Sequence, residues 1–326
     1  MNANRGMWPE GFKAAVILTF DVDAESGVLW EFPDTARRLG ILRHQAYGPL
    51  VGLPRLLRIL QRHGAAATFF VPGFTAERHP DAVRAIVAAG HEVAAHGYLH
   101  EIVTELDQGR EEAVLERSVE ILERVAGARP RGWRAPMWEV NHGTPALLAR
   151  HGFIYDSSLM DADLPYRLAV GPERDSPTLI EIPPHWSLED GVQYAWLPGI
   201  WDTATIESPA KLLTMWELDL EAAVAEGTCL VLTMHPCLSG RPSRALVFER
   251  LLERIVGTPG VWVPTANEIA EHVAKVSLEP VYHAPLDVDS SSLRPPRGDG
   301  SQTGKSGFHG DGDTTTAAVT DEGEAR

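Results

Sequence analysis

Short, wholly apolar runs alternate along this chain with stretches whose apolar residues recur at helical spacing. Ala14 to Asp23 (AAVILTFDVD) reads as a buried strand, and Pro54 to His63 (PRLLRILQRH) as a helix with Leu56, Leu57 and Leu60 on one face, stopped by Gly64. Ala65 to Pro72 predicts a second strand, Pro80 to Ala89 a helix closed by Gly90, and His91 to His96 a short third strand. A long helix follows over Asp107 to Ala126, closed by Gly127, then the segment Gly132 to Met137 and a helix around Pro145 to Arg150. Further strands fall at Phe153 to Asp156, Leu179 to Pro183 and Cys229 to Met234. Ser208 and Pro209 form a cap and first-turn pair for a helix running to Glu226. Arg250 to Val256 reads as helix, and Val261 to Val263 opens a last strand–helix pair with Thr265 as its cap.

About seven such alternations in one chain predict a parallel α/β architecture. No glycine fingerprint of a dinucleotide or phosphate loop opens a helix after any of these strands, and the polar residues of interest sit at strand ends. A distorted (β/α) barrel of about seven strands is therefore expected, because barrels collect functional residues at the C-terminal ends of their strands. The alternation stops near residue 275. Residues 276–326 are rich in Gly, Ser, Thr, Asp and Pro, and this composition predicts a disordered acidic tail behind a single body of residues 1–275.

The 326 residues are 44% hydrophobic and 23% charged, which fits a globular body with a sizeable core. The formal net charge of −16 is not a tail effect, since the tail carries only nine acidic and four basic side chains. So acidic a balance argues against nucleic-acid and anionic-membrane partners, and no run is long and apolar enough to span a bilayer. The first 15 residues lack a continuous apolar core of the kind a secretory signal needs, which predicts a cytoplasmic protein. Cys229 and Cys237, the only cysteines, would lie about 26 Å apart on an extended strand, so no disulfide is expected between them.

Four groups of residues carry chemical possibilities. Asp21 and Asp23 are two apart, so the strand period places both carboxylates on one face, although an isolated Asp-x-Asp more often caps the next loop or forms an Asx turn. His96 and His100, four apart around Gly97, can converge on one metal ion or stand as ordinary histidines. His235 directly follows the apolar strand CLVLTM, where a parallel sheet aims polar groups into its ligand crevice; a hydrogen-bonded core histidine is the competing reading. Arg134 and Trp138 share the proline-stiffened segment GWRAPMW.

In order, TFDVD, TFFVPG, GHEVAAHGYLHE, GWRAPMW and LTMHP resemble the polysaccharide deacetylase family of carbohydrate esterases, over about Ala14 to Ala270. Asp-Val-Asp in place of adjacent aspartates, with GVLWEF, YDSSLMDADLPY, EIPPHW and HPCLSGRPSR, is similar to the branch of peptidoglycan-deacetylase-like, allantoinase-like and cyclic imide hydrolase proteins. The resemblance implies Asp21 as catalytic base, Asp23, His96 and His100 as metal ligands, His235 as general acid and Arg134 as the group that keeps Asp21 ionised and pointed. The inserted Val22 departs from the adjacent-aspartate pattern and leaves the division between base and ligand less fixed. The resemblance further implies a divalent metal, with Zn²⁺ as first choice, a homo-oligomer, and a pocket including Trp30, Trp138, Tyr155, Trp186 and Arg241, with Asp190 orienting His235.

The expected activity is metal-dependent hydrolysis of a non-peptide carbon–nitrogen bond in a small-molecule or sugar-amide substrate, of the N-acetyl-sugar deacetylase type. The alternative is a metal-independent cyclic amide or imide hydrolase, which a cytoplasmic location would suit. A non-catalytic binding module on the same fold would be expected to have lost the base, a ligand or the acid, and all five matching positions are filled.

Overall fold

The computed structural model describes residues 6–202 and 205–287. Among these described residues nine strands form one sheet: β1 (Ala14–Asp21), β2 (Thr68–Val71), β3 (Glu92–Ala95), β4 (Gly132–Trp133), β5 (Tyr155–Asp156), β6 (Tyr166–Ala169), β7 (Thr178–Glu181), β8 (Cys229–Met234) and β9 (Val261–Trp262). The spatial order is β6-β7-β5-β4-β3-β2-β1-β8, with β9 paired beside β1. Every pairing is parallel except the β6–β7 pair. The sheet curls into a half-barrel, and on the free side of β8 Glu189 makes a single parallel bridge to Thr233, with Asp190 N donating to the Thr233 carbonyl at 3.1 Å. This is the expected distorted α/β barrel. The antiparallel edge strand β6 was not anticipated.

Strand β1 shows why the chain curls this way. All eight of its residues are buried, the pattern of a parallel strand covered on both faces. Val16, Leu18, Phe20 and Val22 point outward into the core under the surrounding helices, against Leu53, Leu56, Leu60, Leu251 and Leu252. Ala15 and Ile17 point inward, where Phe70, Tyr155, Ile180 and Val231 fill the barrel and helix Ala266–Val273 with Trp8 plugs its base. The same inward face continues upward through Thr19 to Asp21, so the period of two that packs the interior also delivers the polar groups to its mouth.

The expected caps are present. Asp107 accepts from Arg110 N at 2.9 Å at the start of helix Gln108–Ala126, and Ser208 opens helix Pro209–Glu226. Thr265 and Glu268 form a reciprocal capping box. Gly127 and Gly227 stop their helices in the left-handed conformation. The helix expected at Arg250–Val256 is longer, running over Pro242–Gly257.

The tail boundary expected at residue 276 needs correction. Val276 and Leu278 pack against the interior core, and Val281 pairs with Leu168, exchanging backbone hydrogen bonds of 2.8 Å with Arg167 and Ala169 on the sheet edge. Edge pairing uses main-chain groups, which is why a segment poor in large apolar residues gave no sign of it. The rest of the expected tail, residues 288–326, lies outside the described residues. Cys229 and Cys237 are both buried free thiols, as their spacing predicted. Among the described residues no helix is long and apolar enough to cross a membrane.

Candidate metal centre and active site

At the mouth of the barrel the Asp21 carboxylate meets Arg134, whose side chain is fully buried. Arg134 Nη1 donates to Asp21 Oδ1 at 2.7 Å and to Thr19 Oγ1 at 3.0 Å. Its Nη2 donates to Ser157 Oγ at 3.0 Å and its Nε to the Ser157 carbonyl at 3.3 Å. The guanidinium lies 4.0 Å over the Phe70 ring. Bonded on three sides and stacked on the fourth, it holds the Asp21 carboxylate in one orientation.

Asp23 follows on the same face of the chain, because Val22 N still bonds the Phe70 carbonyl and keeps the backbone extended. The Ser26 and Thr75 hydroxyls both donate to the Asp23 carbonyl at 2.6 Å, next to Ala24 in the left-handed region. Asp23 Oδ1 lies 3.5 Å from His96 Nε2, and Oδ2 lies 3.7 Å from His100 Nε2. His100 itself has φ +63, a strained backbone for a non-glycine residue. The turn is held by the Glu101 carboxylate, which accepts from Tyr98 N and Leu99 N. His96 Nδ1 lies 2.8 Å from the Arg134 carbonyl, which can only accept, so Nδ1 carries the proton and Nε2 presents a lone pair to Asp23.

His235 stands opposite, with Nε2 at 3.4 Å from Asp23 Oδ2. Its Nδ1 bonds Asp190 Oδ1 at 2.7 Å and lies 3.2 Å from Glu189 Oε1. Asp190 is fully buried; it also accepts from His235 N and from Ser239 Oγ, so the ring is fixed from beneath. Burial works against the protonated imidazole, but Asp190, Asp23 and Glu189 outweigh it and hold His235 well above the usual histidine range. Burial likewise works against ionised Asp23, and His100 and His235 reverse that, holding it well below the usual carboxylate range. At His96 burial wins and lowers the imidazole.

The residues expected at the site are thus brought together in one group: Asp21, Asp23, His96, His100, Arg134 and His235, with Asp190 beneath. The expected pocket residues divide. Trp138 and Trp186 form an edge-on pair with ring centroids 4.4 Å apart, Trp138 buried and Trp186 exposed, on loops that follow β4 and β7. Trp30 is partly exposed and bonds Glu105. Arg241 stacks 3.7 Å over Tyr47 and bonds the Cys237 carbonyl, so its guanidinium is engaged there.

Tyr155 is a correction. It is fully buried in the barrel interior, edge-on to Phe70, and its hydroxyl donates to Glu92 Oε1 at 2.8 Å. It faces inward as a pocket residue would, but one layer too deep. Glu189, Ser157 and Thr19 were missed. Glu189 adjoins Asp190 in WSLED, yet only the bridge to Thr233 brings it to His235.

Residues 47–155 match the family model for polysaccharide deacetylase. The peptidoglycan deacetylase of Helicobacter pylori is 34% identical over 277 residues, covering 78% of this chain and 94% of that protein. A crystal structure from Mycobacterium smegmatis, assigned to the polysaccharide deacetylases, superposes with a TM-score of 0.81 at 49% identity, over 86% of this chain and 97% of that one. PuuE allantoinase shares the fold alone, with a TM-score of 0.69 at 23% identity over 83% of this chain and 95% of its own. Sequence and fold therefore define a hydrolase of carbon–nitrogen bonds other than peptide bonds. More particularly, the chain belongs to the polysaccharide deacetylase family.

Proposed function

We propose that the protein is a metal-dependent deacetylase that removes acetyl groups from N-acetylated sugar units. The observation that carries this reading is the placement of Asp23, His96 and His100, whose ligand atoms all lie within 4.8 Å of one another, beside the Asp21–Arg134 pair. Asp23 Oδ1 is buried without a hydrogen-bond partner, and a lone pair of His96 Nε2 faces it at 3.5 Å. Acceptors that face one another at this spacing suit a cation between them, and one carboxylate with two imidazoles leaves positions open for water and substrate. Zn²⁺ is the first choice for this nitrogen-rich donor set.

Bound there, the ion would polarise the scissile carbonyl and acidify a water molecule. Asp21 is set to accept that water's proton: Oδ1 is taken by Arg134, and Oδ2 lies 3.9 Å from His96 Nε2, facing the same space. His235 is set to hand a proton from Nε2 to the departing nitrogen, with Asp190 fixing the ring from its far side. The exposed edge of Trp186 against Trp138, on the loops that follow β7 and β4, offers an apolar face to a sugar ring.

The test is acetate release from N-acetylglucosamine oligosaccharides by Zn²⁺-loaded protein, with Asp21→Asn beside it. Turnover that falls by about 10³-fold or more in Asp21→Asn is expected. A metal-loaded protein that releases no acetate but opens hydantoin or succinimide rings would overturn this reading in favour of a cyclic amide hydrolase.

A further inference from the structure

Two buried acids lie side by side on the sheet, outside the constellation just described. Asp156 on β5 and Glu181 on β7 are directly opposite in register, and neither side chain has any solvent exposure. Asp156 Oδ1 accepts from Ser158 Oγ at 2.6 Å, and Glu181 Oε1 accepts from Ser158 N and Leu159 N, both at 2.9 Å. The other oxygen of each, Asp156 Oδ2 and Glu181 Oε2, is buried without a hydrogen-bond partner. Two fully buried carboxyls opposite each other on neighbouring strands, each with an unpartnered oxygen, are satisfied when a proton lies between them.

The serines they hold lead to the base. Ser158 Oγ also accepts from Ala135 N at 2.9 Å, beside Arg134. Ser157 receives Arg134 at both its hydroxyl and its carbonyl, and donates its own hydroxyl to the Ile182 carbonyl on the far side of Glu181. Arg134 in turn grips Asp21 at 2.7 Å.

We propose that Asp156 and Glu181 share a single proton and act as a positioning pair, clamping Ser157–Ser158 so that Arg134 is held against Asp21. The inference rests on the deacetylase reading only for its activity arm. Burial pushes the Asp156 carboxyl up to about 6, and burial with the Asp156 charge pushes Glu181 well above the usual range, so the shared proton persists at neutral pH. The charged and titratable groups that face the pair are Arg134 directly after β4, Tyr155 from β5, and Tyr166 from β6 with its partner Asp161. Arg134 is the only cation among them. Loss of the proton leaves two adjacent buried anions, which repel and loosen the clamp.

Asp156→Asn tests this directly, because an amide N–H donates to Glu181 without a titrating proton, whereas Asp156→Ala removes the clamp. In the zinc-loaded full chain, Asp156→Ala is expected to lower kcat by tenfold or more with KM within twofold. Asp156→Asn should stay within threefold of wild type and keep its activity to higher pH. Infrared spectra at pH 7 should show a neutral-carboxyl band in wild type that is absent from Asp156→Asn and from Glu181→Gln. Should Asp156→Ala fail to fold, Ser158→Ala removes the hydroxyl that joins Asp156 to Ala135 N, leaves the pair and its backbone bonds in place, and should also lower kcat by tenfold or more.

Wild-type kcat in a folded Asp156→Ala, Asn behaving as poorly as Ala, or no lost neutral-carboxyl band would each overturn the proposal. The infrared arm and a crystal structure of Asp156→Ala, read for the Arg134–Asp21 separation, need no substrate. A wild type inactive on every N-acetyl sugar therefore overturns the deacetylase reading, while these two readouts decide the role of the pair.

Discussion

The backbone carbonyl of Arg134 accepts from His96 Nδ1 at 2.8 Å, while the guanidinium of the same residue donates to Asp21 at 2.7 Å. One residue at the end of β4 thus sets both the tautomer of an expected ligand and the orientation of an expected base. Main chain and side chain contribute separately, so substitution removes one role and leaves the other.

Arg134→Lys is expected to keep its metal, because the carbonyl to His96 survives, and to lose about 10²-fold in kcat. Lysine supplies one point charge where the guanidinium makes four hydrogen bonds. Metal content by elemental analysis and kcat on the same preparation check this. Metal loss in step with activity would contradict the division of roles.

His100→Ala is expected to reduce bound divalent ion from about one per chain to near none after dialysis, because two donors hold it far less well than three. Trp30→Phe, which changes a residue bonded to Glu105 at 3.3 Å rather than a ligand, serves as the control that retains it. Equal metal content in the two variants would remove His100 from the ligand set.

His235→Ala is expected to slow amide hydrolysis by about 10²–10⁴-fold, the usual worth of a positioned general acid. An activated aryl acetate carries a leaving group that departs without a proton, and on it the same variant should lose less than about tenfold. A matching loss on both substrates would show that His235 serves binding or structure instead.

Gly132→Ala is a prediction about stability. A Cβ on Gly132 would stand 1.7 Å from Tyr155 Cζ, so the ring must leave its place and its bond to Glu92. Overpacking of this kind costs about 1–3 kcal/mol, read as a lower urea midpoint. An unchanged midpoint would mean that the ring has room to move.

Much of the site was legible in the sequence because strand periodicity is a local signal. Asp21 and Asp23 share a face with Ile17 for the same reason that Val16 and Phe20 share the other. The same signal misled at Tyr155, since a period of two tells in from out but not how deep a residue lies in a barrel. Glu189 was not legible, because its approach to His235 depends on a bridge to Thr233 between segments 44 residues apart in the chain. Val281 was hidden differently: it holds the sheet edge by main-chain bonds, which leave no trace in composition.

Strand β1 touches β2, β8 and β9 and contributes Asp21 at its upper end. A slip of one residue in its pairing would turn Ala15, Ile17, Thr19 and Asp21 out under the helices and bring Val16, Leu18 and Phe20 into the barrel. The apolar run tolerates that exchange far better than the chemistry does, since nearly every residue below Asp21 is small or hydrophobic on either face. Catalytic competence is therefore a sharper report of correct strand register than compactness or helix content. A preparation that is folded by spectroscopy yet inert would point to this strand first.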